Sequence, residues 1–288
     1  MAFSRRLTGT AMVLGATLCW SIAGLIVRHI ESKGIPVVFA RSAFMALGVG
    51  LYLALLHRGH LTSVFAKAGL GGVISGLLLA TSFVTFILAM TYMPVANAYV
   101  LMCGSPLISA LLGRWLLKEP LTPGVIVAIL AAMAGIGLMF ADGMGEMTLL
   151  GTFFGLAVAV AFGANVVVLR KMRSADMVTA AFLAGVFSAI ATLPFADPAA
   201  IPLNDLPWLA LLGLVQLGAG LILFVRGTRY LPSGEASLLT LVEAILAPTW
   251  VWLIFAETPG FYTIAGGVIV LGAVAFQTWI TSGKASRE

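Results

Sequence analysis

The sequence predicts an all-α integral membrane protein of ten transmembrane helices, arranged as two inverted five-helix repeats. Three observations lead there. The first is composition: of 288 residues, 61% are apolar and 9% charged, with mean hydropathy +1.09. A water-soluble domain carries about 25% charged residues. A chain this poor in charge cannot cover its own surface in water, so lipid must do the covering. The second observation is the spacing of the apolar runs, and the third is a pair of motifs that recur at nearly one offset.

A helix needs roughly 20 apolar residues to cross a ~30 Å hydrocarbon core. Runs of that length, ended by charges and prolines, fall at 8–28, 36–56, 68–92, 94–117, 122–141, 149–169, 177–196, 206–228, 232–255 and 260–281. The first follows Ser4-Arg5-Arg6 as a signal peptide would. It is longer than the usual apolar core of such a peptide and no small-residue cleavage site follows, so it reads as a retained helix. The connections are short and leave no room for a soluble domain.

Lys and Arg placement sets the orientation. With the N-terminus cytoplasmic, the inside set is Arg5, Arg6, Arg58, Lys67, Arg114, Lys118, Arg170, Lys171, Arg173, Arg226, Arg229, Lys284 and Arg287. Only Arg28 and Lys33 fall outside, and Arg41 lies within a span. Shifting the count by one helix would scramble this partition. The chain therefore reads as a multi-pass inner-membrane protein with both termini cytoplasmic. The net charge of +5 does not point to nucleic acid, because the basic residues sit between apolar runs rather than in a patch.

The repeat appears in two places. Gly9-Thr10, Trp20 and Arg28 are matched by Gly151-Thr152, Phe162 and Arg170, at an offset of 142. Tyr92-Met93-Pro94-Val95-Ala96-Asn97-Ala98 is matched by Tyr230-Leu231-Pro232-Ser233-Gly234-Glu235-Ala236 at an offset of 138, and Glu119 then falls on Glu257. The expected units are residues 1–145 and 146–288. Five helices per unit is odd, so the copies insert with opposite orientation, a plan whose solute sites lie between the repeats near the midplane.

The stretch from Pro94 to Glu119, with Pro106 inside and Lys118-Glu119-Pro120 after it, resembles the first EamA repeat of the drug/metabolite transporter superfamily. Leu241-Val242-Glu243-Ala244-Ile245-Leu246-Ala247-Pro248, running on to Ala256-Glu257-Thr258-Pro259, resembles the second. The likeness implies a ten-helix transporter, in a family that includes amino-acid and metabolite exporters. Outward transport of an amino acid, aromatic or apolar ones included, is an implication of the resemblance alone. One departure is that Pro106 pairs with Ala244, so the halves are not equivalent around the site.

No enzyme signature is present: there is no Walker-type phosphate loop and no HExxH motif. His29, His57 and His60 lie at span ends or in loops, and Cys19 and Cys103 read as small packing residues. The chain is thus expected to be no enzyme and to carry no cofactor or metal. Its expected partners are a small-molecule solute and the bilayer, with no nucleic acid. Small residues on spans five and ten, namely Gly124, Ala128, Ala131 and Gly135, then Gly260, Gly267 and Gly272, suit close helix packing or a homodimer.

Glu243 lies near the middle of span nine, where an acidic residue costs on the order of 2.5–3.5 kcal/mol. It either binds a proton or a cationic group during transport or ties two helices together. Arg41, a short way into span two, either snorkels outward, pairs with Glu243, or holds a solute carboxylate. Pro106 and Pro248 free the carbonyls of Met102 and Ala244 within spans, which suits a kink or a solute path. Trp20, Phe83, Tyr99, Phe162 and Phe224 could line an aromatic cavity. Trp115, Trp208 and Trp279 fall at span ends as interfacial anchors. The amides of Asn97, Asn165 and Gln216 need partners in lipid, either another helix or the solute. The candidate solute site is Trp20, Arg41, Phe83, Tyr99, Phe162, Asn165, Gln216 and Glu243. A passive channel, a membrane-embedded enzyme and an assembly subunit are the competing functions.

Overall fold

In hydrocarbon no water satisfies backbone N–H and C=O groups, so a spanning segment must pair them internally. The chain answers with helices. A computed structural model of the protein describes residues 2–141, 144–145, 147–256 and 260–285. Glu257, Thr258 and Pro259 of the second motif, and Arg287 of the basic count, lie outside the described residues.

The first half contains α1 (Ala2–Ser21), α2 (Ala23–Val27), α3 (Ile35–His57), α4 (Leu61–Tyr92), α5 (Val95–Met102), α6 (Ser105–Leu117) and α7 (Pro123–Met139). The second contains α8 (Leu149–Lys171), α9 (Val178–Ala196), α10 (Leu206–Leu211), α11 (Gly220–Gly227), α12 (Ser233–Thr240), α13 (Glu243–Phe255) and α14 (Phe261–Ala285). A π-helical stretch, Leu212–Ala219, joins α10 to α11. Among the described residues, eight spans are long and apolar enough to cross a bilayer, and two shorter apolar helices, Pro123–Met139 and Phe261–Gln277, bring the total to ten. Large apolar side chains stand open on the outside, among them Leu149 at 89% and Phe261 at 79% exposure. That is the surface hydrocarbon selects.

The repeat is visible in backbone geometry. Helices α5 and α12 each follow a proline N-cap and have 8 residues; α6 and α13 each have 13. Both α6 and α13 end on left-handed residues, Lys118 (φ 56°, ψ 28°) and Ala256 (φ 55°, ψ 22°), which occupy equivalent positions. Two non-glycine residues in the same sparsely populated region are a shared feature of construction, since that region is uncommon for L-residues.

Three spans are broken. Span four breaks at Cys103 and Gly104, just ahead of Pro106, which has no N–H for the Met102 carbonyl. Span nine breaks at the equivalent Leu241 and Val242, ahead of Pro248 by seven and six residues. There the Thr240 hydroxyl donates to the Ser237 carbonyl (2.6 Å), and the Leu241 N–H turns to Leu238 instead (3.0 Å). Pro248 itself sits inside α13. Span one breaks at Ile22, where Ser21 Oγ donates to the Leu18 carbonyl (2.8 Å) and Gly24 follows.

Contacts between connections fall into two groups, one at each end of the bundle. At one end the start of α1 meets α12 through Arg6 and Glu235, the α6–α7 connection meets α8 through Glu119 and Arg170 (3.1 Å), and the end of α3 meets the α8–α9 connection through His57 and Asp176 (3.0 Å). At the other, Asp205 before α10 accepts from the Ser32 N–H (2.8 Å) and hydroxyl (2.6 Å), and Thr148 before α8 donates to the Tyr92 carbonyl (2.6 Å). Successive connections therefore alternate between ends, and the two halves run in opposite senses.

Helix α7 packs on α14 at very close range: a Cβ added to Gly266 would lie 2.2 Å from the Gly135 carbonyl. The close approach thus uses Gly266, while Gly260 and Gly272 meet nothing within 4 Å. Gly266→Ala is expected to lower the thermal unfolding midpoint in detergent by several degrees, in line with about 1–3 kcal/mol for overpacking. Gly272→Ala is expected to leave it unchanged; equal midpoints for the two variants would contradict this packing.

Candidate functional site

The breaks in spans four and nine face one cavity of about 130 Å³. Its walls come from α1, α3, α4, α5, α6, α8, the π-helical stretch, α11, α12 and α13, so both halves contribute. The first residues of the half-helices, Ser105 on α6 and Glu243 on α13, line it together with Cys103, Leu241 and Ala244 around the breaks. Irregular backbone at this depth is tolerated where it borders a cavity rather than lipid.

Seven of the eight predicted site residues, Trp20, Arg41, Phe83, Tyr99, Phe162, Gln216 and Glu243, surround this cavity. The Arg41 guanidinium lies over the Phe83 ring, 5.9 Å from its centroid, rather than at the outer surface. Among the described residues Arg41 and Glu243 form no ion pair with each other or with another side chain. Trp20, Phe162 and Phe224 form an aromatic cluster, with centroids 5.3 Å apart for Trp20–Phe224 and 5.6 Å for Phe162–Phe224. Tyr99 stacks on Phe140 at 5.5 Å and meets Phe86 edge-on at 5.4 Å.

The eighth residue lies elsewhere. Asn165 is fully buried behind the wall, where its Oδ1 accepts from Ser75 Oγ of α4 at 2.5 Å. It serves a helix–helix bond there. Asn97 likewise donates to the Gly145 carbonyl at 3.0 Å, away from the cavity. Ser82, Phe86, Ser105 and Thr240 line the cavity and were not singled out in the sequence. Ser105 and Thr240 could have been found as the polar residues flanking the two breaks, had the breaks been placed.

Beyond the cavity, one end of the bundle is closed by charges that cross between halves. Glu119 accepts from Arg170 Nε (3.1 Å) and from the Ser233 N–H that opens α12 (2.9 Å). Arg170 also donates to the Arg229 carbonyl (2.6 Å). Arg6 pairs with Glu235, which is only 1% exposed.

The EamA-like transporter family matches residues 7–141 and again residues 149–279, nearly the whole chain in two copies. The chain belongs to the EamA-like transporter family. It is a multi-pass membrane protein of that family, which fits its ten apolar helices. The threonine/homoserine exporter RhtA of Escherichia coli strain K12 is 28% identical over 128 residues, 44% of this EamA chain and 43% of the exporter. The same exporter from Escherichia coli O157:H7 matches with the same identity and span. The matched region thus covers less than half of those relatives' length. A solved crystal structure superposes with TM-score 0.80 at 20% identity, covering 94% of this chain and 96% of that one, a likeness of fold.

Removing one partner of a buried ion pair leaves the other charge uncompensated, at a cost of up to about 3–5 kcal/mol. Glu235→Gln is therefore expected to lower the thermal midpoint by several degrees, whereas Lys67→Gln, on an exposed position outside the network, leaves it in place. A midpoint that Glu235→Gln does not move would show that the pair with Arg6 does not hold this end together.

Proposed function

We propose that the protein is a secondary transporter that carries a small amphiphilic amino acid outward across the inner membrane by alternating access to the central cavity. The observation that carries this reading is that Arg41 and Glu243 line one cavity from separate helices and, among the described residues, remain unpaired with each other. A charge at the centre of a span costs on the order of 2.5–3.5 kcal/mol. Two cavity-lining groups of opposite charge, each without a counter-ion among the described residues, suit a ligand bearing both. A zwitterion meets that requirement: its carboxylate suits a guanidinium, and its ammonium suits a carboxylate. Trp20, Phe83 and Phe162 then offer apolar walls to the side chain.

Family membership and the partial likeness to a threonine/homoserine exporter support both an amino-acid cargo and the outward direction. The sequence has no nucleotide-binding loop, so the driving force is a gradient of the solute or of a coupled ion. The excess of basic residues at the end carrying Arg6, Arg170 and Arg229 supports a cytoplasmic location for that end and for both termini.

Counterflow in proteoliposomes tests the reading. Purified protein is expected to exchange a labelled neutral amino acid for excess unlabelled amino acid, with saturation, and to leave labelled sugars outside. Glu243→Gln is expected to slow exchange at least about tenfold, the effect of losing about 1.4 kcal/mol. Flux that neither saturates nor shows counterflow would indicate a channel. An unchanged rate in Glu243→Gln would remove the carboxylate from the account.

A further inference from the structure

One polar group in the cavity has no use in zwitterion binding. Gln216 is 5% exposed, lines the cavity, and stands in the π-helical stretch Leu212–Ala219. A π-helical turn inside a longer helix redirects side chains and is found frequently at functional sites. This one and the first residue of α11 after it are seated directly on two cavity residues. A Cβ on Gly213 would lie 2.5 Å from the Arg41 carbonyl, and one on Gly220 would lie 2.4 Å from the Trp20 indole nitrogen.

The amide of Gln216 turns its nitrogen toward α1. Its Nε2 donates to the Trp20 carbonyl at 3.4 Å. That carbonyl is available because α1 ends at Ser21, leaving its last carbonyls without intrahelical donors. With the nitrogen end held, Oε1 is the end left over. It is buried and accepts no hydrogen bond among the described residues. The Trp20 indole N–H is likewise buried without an acceptor among them. Leaving a buried acceptor and a buried donor unmatched is unfavourable, which is why most such groups in folded proteins have partners.

We infer that Gln216 determines specificity, and that its Oε1 accepts a hydrogen bond from a hydroxyl on the side chain of the transported amino acid. This rests on the amino-acid reading of the same cavity. A hydroxyl donates, so it satisfies Gln216 Oε1. A hydrocarbon side chain of the same shape leaves that oxygen unmatched. A wholly apolar pocket separates such isosteres poorly, whereas a site built to bond a hydroxyl rejects the analogue that lacks it.

Threonine and valine are that isosteric pair, and labelled counterflow in proteoliposomes with each is the test. Wild-type protein is expected to exchange threonine at least about tenfold faster than valine at subsaturating concentration, and Gln216→Met to bring the ratio near one. A merely structural role for Gln216, through its bond to Trp20, would slow both substrates together and leave the ratio standing; that result overturns the inference. Equal rates in wild-type protein overturn it without any variant, and leave the amino-acid reading intact. If neither amino acid exchanges while another solute class does, the amino-acid reading falls and takes this inference with it.

Discussion

Every backbone amide and carbonyl in a membrane core must find a partner within the protein, and the rest of this structure follows from that constraint. It makes the spans helical, and it restricts interruptions to places where a side chain or a cavity takes over the freed groups. Ser21 and Thr240 each divert a carbonyl with their own hydroxyls. Pro106 withdraws a donor from Met102. The interruptions of spans four and nine come together at one cavity at mid-depth, so the local departures from helix and the central opening are a single feature of the fold.

Charge follows the same logic. At one end of the bundle, Glu119 takes Arg170 and the first amide of α12, Arg170 reaches the Arg229 carbonyl, and Arg6 pairs with Glu235; all but the Arg170–Arg229 bond cross between halves. In the interior, Arg41 and Glu243 are kept apart, one over an aromatic ring and the other at the start of a half-helix. The paired charges hold the halves to each other, while Arg41 and Glu243, without an ion pair among the described residues, face the cavity the halves enclose. Inverted repeats suit this division, because a given motif reaches opposite ends of the bundle in its two copies.

Much of this was legible in the sequence for physical reasons. Apolar runs of about 20 residues and the distribution of Lys and Arg report directly on the solvent, and ten spans followed. The offset of 138 residues anticipated the matching of α5 with α12 and of α6 with α13. Seven of the eight site residues meet at one cavity because charged and aromatic residues deep in a span have few other places to go. Asn165 shows the limit: an amide in lipid must be bonded, but the sequence does not say whether Ser75 or a solute does it. The break in span nine was expected from Pro248 and lies instead at Leu241 and Val242, since the Thr240 hydroxyl acts before the proline. The π-helical stretch around Gln216 has no proline or charge to announce it. Gly266 was passed over for Gly267 because helical spacing alone does not fix which face meets α7.

Transport through this fold requires the two breaks to border a space that water and solute can enter. Cysteine accessibility at Ala244, in a background with Cys19 and Cys103 replaced by serine, measures this directly. Ala244→Cys is expected to react with a small water-soluble thiol reagent in proteoliposomes and to be protected by the transported amino acid. A thiol at that position that reacts only with membrane-soluble reagents, and is indifferent to solute, would mean that Glu243 and the breaks face lipid or packed protein instead of a path.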